Sequence, residues 1–257
     1  MRDIDYNNLK CIRPDKILNI SNSGIFLTLA LISNDLGDLI YLQGLHAKNT
    51  ISIKDLISAE NGQKTGRNIY IFRLALSHMY SIFEFINKRI DLIEKDDLFN
   101  KILKENLSKE ERFFWDFVVK ISKNFKSFRK KDFLIDGISE DYLEIVRLTE
   151  IARNDVTFHY DGTIKHLKKG FVTAFGSNKL PNTEYAFITE MNDVGKDRKY
   201  YIDISLQKFL ENEANLGKNL FDSESPFVVF ISSFNRVTNK ILQGFHSNLG
   251  FEKVQNK

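Results

Sequence analysis

Apolar residues recur at three- to five-residue steps along most of this chain, which is the spacing that places them on one side of an α-helix. The pattern predicts a helix over residues 23–48, a longer one over 66–94 and an aromatic-rich one that begins at Ser108. A fourth helix is predicted over 140–160, and the Ser225-Pro226 pair is a good start for a last one. The chain is therefore expected to be mainly α.

Each predicted helix has a side that is expected to face the core. The helix over 66–94 has the most continuous one, formed by Ile69, Phe72, Ala75, Leu76, Met79, Phe83, Ile86, Ile90 and Ile93. The helix over 140–160 is expected to bury Tyr142, Ile145, Leu148, Ala152 and Val156. The last helix is expected to bury Val229, Phe234, Val237, Ile241 and Phe245. Such one-sided stripes indicate helices that pack together in a bundle.

Glycine and proline suggest where the helices are interrupted. Residues 1–20 are expected to be an irregular lead-in, because Pro14 cannot continue a helix. Gly37 is a candidate interruption within the first helix. Asn61-Gly62 predicts a break before the long helix, since this dipeptide favours turns.

The helix that begins at Ser108 has both a cap and a basic stripe. Ser108 and Glu111 have the spacing of a capping box, in which each side chain bonds the other residue's backbone N–H. Basic residues then recur on this helix at nearly regular steps, at Lys120, Lys123, Lys126, Arg129 and Lys130. Two interpretations remain open. The stripe is either a solvated face that complements the helix carboxyl end or a track for the phosphates of RNA.

The pattern changes from helical to alternating between residues 184 and 204. Two runs rich in β-branched and aromatic residues, 184–189 and 199–204, flank a polar stretch that contains Gly195. This arrangement predicts a β-hairpin, inserted before the last two helices, which begin at Ser205 and Ser225. Without a repeat or a long linker, residues 1–257 are predicted to form a single compact unit.

Composition adds little to the functional question. A hydrophobic share of 42% and a charged share of 28% are ordinary for a globular protein, and a net charge of +3 is too small to establish a nucleic-acid partner. Cys11 is the only cysteine, so no disulfide can form within the chain. The amino terminus lacks the apolar stretch of a signal peptide, and the apolar run over 24–32 is too short to span a bilayer. We therefore expect a cytoplasmic protein without a membrane partner.

The candidate chemistry consists of arginine and histidine. No phosphate-binding loop, zinc-ligand framework or esterase nucleophile motif occurs in the sequence, and no metal or cofactor is expected. Arg153 precedes His159 by six residues near the end of a predicted helix. Arg73 and His78 have a similar spacing, but they lie in a strongly apolar helix and are interpreted as structural. Spacing alone therefore does not identify a site.

The residues around Arg153 and His159 form a more specific pattern. Arg153-Asn154, followed by Phe158-His159-Tyr160 at a helix end, resembles the HEPN superfamily, and most of all the AbiU-type abortive-infection proteins of bacteria. The resemblance implies a helical bundle that forms a homodimer and acts as a metal-independent endoribonuclease in phage defence or toxin–antitoxin systems. It implies that Arg153 and His159 are catalytic, that Asn154 assists them, and that an antitoxin or sensor protein is a possible partner. Tyr160 is only an accessory candidate, because related proteins modify a tyrosine two positions after the histidine, where this chain has Asp161.

The chemistry is also reasonable without the family. The 2′-hydroxyl of RNA supplies the nucleophile, so His159 can act as general base or acid while Arg153 stabilises the charge on the phosphate. Six residues separate the two by about 120° around a regular helix, so they meet only across a dimer or where the helix distorts. The alternative is a histidine favouring the helix carboxyl end and an ion pair of Arg153 with Glu150 or Glu144. In that case the protein would be a non-catalytic dimeric adaptor or sensor that binds a nucleotide or a partner protein.

Overall fold

The computed structural model describes residues 10–47, 59–127, 135, 137–151, 169, 172, 226–250 and 252–253. Its helices are α1 (Pro14–Leu18), α2 (Ser23–Ala47), α3 (Ala59–Lys95), α4 (Asp97–Asn106), α5 (Lys109–Lys123), α6 (Glu140–Ile151) and α7 (Pro226–Leu249). A 3₁₀ turn, Phe125–Ser127, follows α5. Two short strands, β1 (Lys10–Cys11) and β2 (Glu252–Lys253), pair antiparallel. The predicted mainly α class is confirmed for the described residues.

Two long helices, α3 and α7, form the centre of the bundle. Helices α2, α5 and α6 each pack against both of them, and α4 packs mainly against α7. Phenylalanine rings bridge α3 and α7, with ring centroids 4.6 Å apart for Phe72–Phe227 and 5.5 Å apart for Phe83–Phe230. The predicted stripe of α3 is buried at Phe72, Ala75, Leu76, Met79, Phe83, Ile86 and Ile93. The core of the described residues therefore combines these phenylalanine rings with a larger number of isoleucine and leucine side chains.

The last helix begins where the sequence predicted, but one of its expected core positions was wrong. Pro226 is its first residue, a position where the missing N–H of proline costs nothing. Phe234, Val237, Ile241 and Phe245 are buried as expected. Val229 is 39% exposed, and the first turns bury Phe227, Phe230 and Ile231 instead. The buried stripe keeps the phase given by the other four positions, and Val229 lies on the opposite side of the helix.

Two predicted interruptions are absent from the described helices. Helix α2 runs through Gly37, and α3 begins at Ala59 and runs through Asn61-Gly62. Pro14 is the first residue of α1, so no helix continues through it, as predicted, but the expected irregular lead-in over residues 1–20 contains this short helix. A glycine inside a helix costs only about 1 kcal/mol relative to alanine, so helix propagation and tertiary packing can outweigh it.

Helix α4 was not predicted from the sequence. The Asp96 carboxylate caps it by accepting from the Phe99 N–H at 2.7 Å, and it also accepts from Asn22 Nδ2 at 2.6 Å. Its buried residues, Phe99 and Ile102, lie on the core side. Gly244 of α7 allows the close crossing, because a Cβ atom there would lie 2.7 Å from Ile102 Cγ2.

Helix α2 is more apolar than the sequence analysis recognised. By length and composition, Ser23–Leu42 could cross a membrane. The apolar run over 24–32, which is too short to do so, is only part of this longer segment. In the structure its inner side packs against α3 and α7, with Ile25, Phe26, Leu29, Leu36 and Leu39 buried. Its outer side exposes Leu27, Leu31, Tyr41 and Leu42.

Residues 152–225 lie almost entirely outside the described part of the chain. The predicted β-hairpin over 184–204 falls in this stretch, as does the helix predicted from Ser205. The hairpin, the single compact unit over 1–257 and the HEPN type of bundle therefore stay predictions.

Candidate functional site

Helix α6 leads directly towards the predicted catalytic residues. It begins at Glu140, as predicted, and its last described residue is Ile151. Arg153, Asn154, His159 and Tyr160 lie outside the described residues, as do Ala152 and Val156 of the predicted buried side. What the structure gives is the helix that precedes the motif and the way this helix is attached to the core.

Helix α6 is held on several sides. Its residues Leu143, Ile145, Val146, Leu148 and Thr149 are buried, and it packs against α3 and α7. Tyr142 is only half-buried, and its ring lies edge-on to Phe117 of α5 with centroids 5.0 Å apart. The Thr149 hydroxyl, fully buried, donates to the Val146 carbonyl at 2.7 Å. These contacts hold α6 in the bundle along its described length.

Acidic side chains on α6 bear on the alternative interpretation of Arg153. Glu144 forms an ion pair with Arg147 one turn later on the same helix. Because this carboxylate already has a guanidinium partner, an ion pair with Arg153 would have to compete with Arg147. Glu150, the other carboxylate expected as a possible partner of Arg153 and an accessory candidate for the site together with Tyr160, is half-buried near the end of the described helix and precedes Arg153 by three residues.

The basic stripe does not lie on one helix, which corrects the prediction. Helix α5 ends at Lys123, where the backbone N–H of Asn124 bonds back to Ile121 and the Asn124 side chain donates to the Lys120 carbonyl at 3.0 Å. The chain then makes the 3₁₀ turn that includes Lys126. Arg129 and Lys130 lie outside the described residues. The three-residue spacing therefore places only Lys120 and Lys123 together on the face of α5.

Both of these lysines interact with their own chain. Lys123 Nζ lies 2.6 Å from Glu94 Oε1 of α3, in an ion pair whose two side chains are about half exposed. Lys120 Nζ lies 4.0 Å from the position that a Cβ atom would occupy at Gly137, in the turn before α6. An exposed ion pair contributes only about 0–1 kcal/mol, so Lys123 could exchange Glu94 for a phosphate at small cost.

The exposed face of α5 contains residues that the sequence analysis missed. Successive residues advance by about 100° around a helix, and six exposed residues of α5 fall within an arc of about 100°. We call this set the α5 outer face: Lys109, Arg112, Phe113, Asp116, Lys120 and Lys123. The sequence contains a signal for this face, because Lys109, Arg112, Phe113 and Asp116 continue the helical spacing of Lys120 and Lys123 into the first two turns of α5.

The structure supports the interpretation of Arg73 and His78 as structural residues. Arg73 and His78 lie on the continuous helix α3, where five residues separate them by about 140°. His78 Nδ1 lies 3.9 Å from Asp35 Oδ2 of α2. The pair is directed to different sides of one helix, so it does not form a site by itself.

Other indications of function are few. Within the described ranges, no group of three or more His, Cys, Asp or Glu side chains is placed to hold a metal ion. Comparisons with protein-family models, with curated proteins and with solved structures return no match to this chain. The functional assignment therefore depends on the residues themselves, namely the motif that follows α6 and the chemistry of the surfaces near it.

Proposed function

We propose that this protein is a homodimeric, metal-independent endoribonuclease of HEPN type that acts in bacterial phage defence or in a toxin–antitoxin system. The observation that carries the proposal is the motif Arg153-Asn154 with Phe158-His159-Tyr160, which begins two residues after the described end of α6. The packing of α6 against α3 and α7 supports it, because a catalytic motif needs a rigid helix to position it.

The reaction needs only the RNA and side chains of this protein. His159 removes the proton of the 2′-hydroxyl, and the 2′-oxygen attacks the adjacent phosphorus. The bond from phosphorus to the 5′-oxygen breaks, and that oxygen takes a proton, from the second His159 of a dimer or from water. Arg153 stabilises the additional negative charge on the phosphate oxygens, and Asn154 orients the phosphate. The products are a 2′,3′-cyclic phosphate and a 5′-hydroxyl end.

The test is cleavage of total RNA by the purified protein in the presence of EDTA. Arg153→Ala and His159→Ala should each lower the rate by about 100-fold or more, since positioned acid–base groups and phosphate ligands contribute at least that much. Arg89→Ala and His78→Ala are matched controls, because they remove the same side-chain types from the described helix α3, outside the motif. Cleavage by both motif variants at the wild-type rate would show that the site assignment is wrong.

Dimer formation is tested separately, because a dimer can persist without activity. Light scattering should give twice the mass of one chain for the wild type and for both motif variants. A folded monomer that cleaves RNA would contradict the proposed shared site. A dimer that never cleaves RNA, with or without EDTA, would favour the adaptor or sensor.

A further inference from the structure

Phe113 lies in an unusual place for a phenylalanine of this protein. Its side chain is 73% exposed, whereas every other described phenylalanine is buried or half-buried. Helix α5 places Trp115, Val118 and Ile121 in the core, so Phe113 points away from the packed side. A single exposed aromatic residue is common on protein surfaces, and its surroundings must decide whether it has a role.

Cations outnumber carboxylates around Phe113. Lys109 lies one turn before it, Arg112 follows Lys109 by three residues, and Lys120 lies two turns after Phe113 on the α5 outer face. Among the described residues, no ion-pair partner is found for the side chain of Lys109 or Arg112. Asp116 is the one acidic residue of the set, and the exposed Glu110 lies beside the set, one turn before Phe113. An aromatic ring between cations matches single-stranded nucleic acid, whose bases offer π-faces and whose phosphates offer negative charge.

The α5 outer face is also close to the helix that leads to the motif. Helix α5 contacts α6 through the rings of Phe117 and Tyr142, and Lys120 Nζ approaches the turn at Gly137 that precedes α6. A strand bound along α5 would therefore lie on the element beside the one that carries the chain towards Arg153.

We infer that the α5 outer face binds single-stranded RNA, with a base stacked on Phe113 and phosphates held by Lys109, Arg112 and Lys120. The choice of RNA over other single-stranded polyanions rests on the proposed ribonuclease activity, whose substrate would then be single-stranded RNA. Stacking on a ring requires an unpaired base, so a duplex does not use this contact.

The experiment measures binding of a fluorescein-labelled polyadenylate oligomer by anisotropy, with every variant made in a His159→Ala background to prevent cleavage. Phe113→Ala should weaken binding by about 5- to 150-fold, the range expected for loss of one base–aromatic stack. Phe113→Trp should bind at least as tightly as the parent. Arg112→Ala should weaken binding. It should also make the negative slope of log affinity against log salt shallower by about one.

Two controls test whether these effects are specific. Leu31→Ala removes a side chain that is 61% exposed on α2, and Lys104→Ala removes an exposed lysine of α4. Both should bind the oligomer within about twofold of the parent, since neither belongs to the α5 outer face. Thermal unfolding monitored by circular dichroism should be unchanged in the Phe113 variants, because the side chain is exposed.

Three outcomes would overturn the inference. In the first, the Phe113→Ala variant binds the oligomer as tightly as the parent. In the second, the substitution weakens binding of a duplex RNA as much as binding of the oligomer. In the third, it changes the mass measured by light scattering. The last would show a contact between protein molecules. Failure of the inference is distinguishable from failure of the proposed function. RNA that binds through Phe113 but is never cut contradicts the ribonuclease, whereas cleavage that depends on His159 but not on Phe113 contradicts only the RNA surface.

Discussion

The outer faces of α2 and α5 both expose large apolar side chains, but their electrostatic surroundings are opposite. Helix α2 presents Leu27, Leu31, Tyr41 and Leu42, and no lysine or arginine occurs anywhere in Ser23–Ala47. Its charged residues are Asp35 and Asp38. Helix α5 presents one aromatic ring on a face with three lysines, an arginine and one aspartate. Exposed apolar area therefore does not identify a ligand by itself, because a polyanion is attracted to one face and repelled by the other.

The inner sides of these two helices also differ in how they are attached to α7. Phe26 of α2 stacks on Phe245 with ring centroids 3.9 Å apart, and Ser33 Oγ lies 2.9 and 3.0 Å from the side-chain oxygens of Asn235 and Asn239. This attachment is neutral. Helix α5 is attached to α7 by a charged hydrogen bond. The carboxylate of Glu111 accepts it from Lys240 Nζ at 2.9 Å, and Glu111 is buried, with 6% of its surface exposed.

The largest effect on the free energy of unfolding is expected when substitutions on the inner side of α2 or α5 are compared with substitutions on its outer side. Phe26→Ala should lower the free energy of unfolding by about 3–5 kcal/mol, because it leaves a cavity in the core, and Trp115→Ala should cost a similar amount. Leu31→Ala and Phe113→Ala, the matched outer variants, should change it by no more than about 0.5 kcal/mol. Urea unfolding measures all four. Equal losses for Phe26 and Leu31 would mean that α2 buries both sides in solution.

An intermediate effect is expected from the charged attachment of α5. The hydrogen bond from Lys240 is the main cause that lowers the pKa of Glu111 below its ordinary value of 4.5, and the Ser108 N–H and the cations of Lys240 and Arg236 add to it. A carboxylate whose pKa is lower in the folded chain stabilises the fold above the unfolded pKa, and this contribution is lost as the pH falls through the folded pKa.

Glu111→Gln should therefore lower the free energy of unfolding by about 1–3 kcal/mol at neutral pH, because it weakens both the ion pair and the capping box. The difference from the wild type should shrink as the pH falls below 4.5. Unfolding free energies measured across that range provide the test, with Glu105→Gln, an exposed change on α4, as control. A Glu111 variant whose deficit is the same at every pH would contradict the role assigned to the charge.

The smallest effect is expected from the neutral attachment of α2. Ser33→Ala removes a buried hydroxyl, while Asn235 and Asn239 keep their own hydrogen bond at 3.2 Å. The free energy of unfolding should fall by about 0.5–1.5 kcal/mol, the usual net value of one hydrogen bond. Unlike that of Glu111→Gln, this loss should be independent of pH, since neither serine nor asparagine titrates in the range. A pH-dependent loss would mean that Ser33 is coupled to a titrating group such as Asp35.

The sequence alone determined those features that depend on neighbouring residues. Ser108 and Glu111 form the predicted capping box, with Glu111 Oε2 accepting from the Ser108 N–H at 2.9 Å, because both partners lie within one turn. Helices α6 and α7 begin at Glu140 and Pro226, the positions that the local sequence predicted. The motif of Arg153 and His159 also belongs here, since it is known from sequence only and its residues lie outside the described chain.

The tertiary structure decided what depends on residues far apart in the chain. The course of α2 through Gly37 and of α3 through Asn61-Gly62 went against local turn preference. Beside Gly37, Leu36 and Leu39 are buried, and this burial gains more than the glycine costs. The pairing of Lys123 with Glu94 could not be predicted, since it joins α5 to α3. Nor could the exposure of Phe113 among the aromatic residues of α5. Composition counts phenylalanines alike, and only packing separates the exposed Phe113 from the other described phenylalanines, which are buried or half-buried.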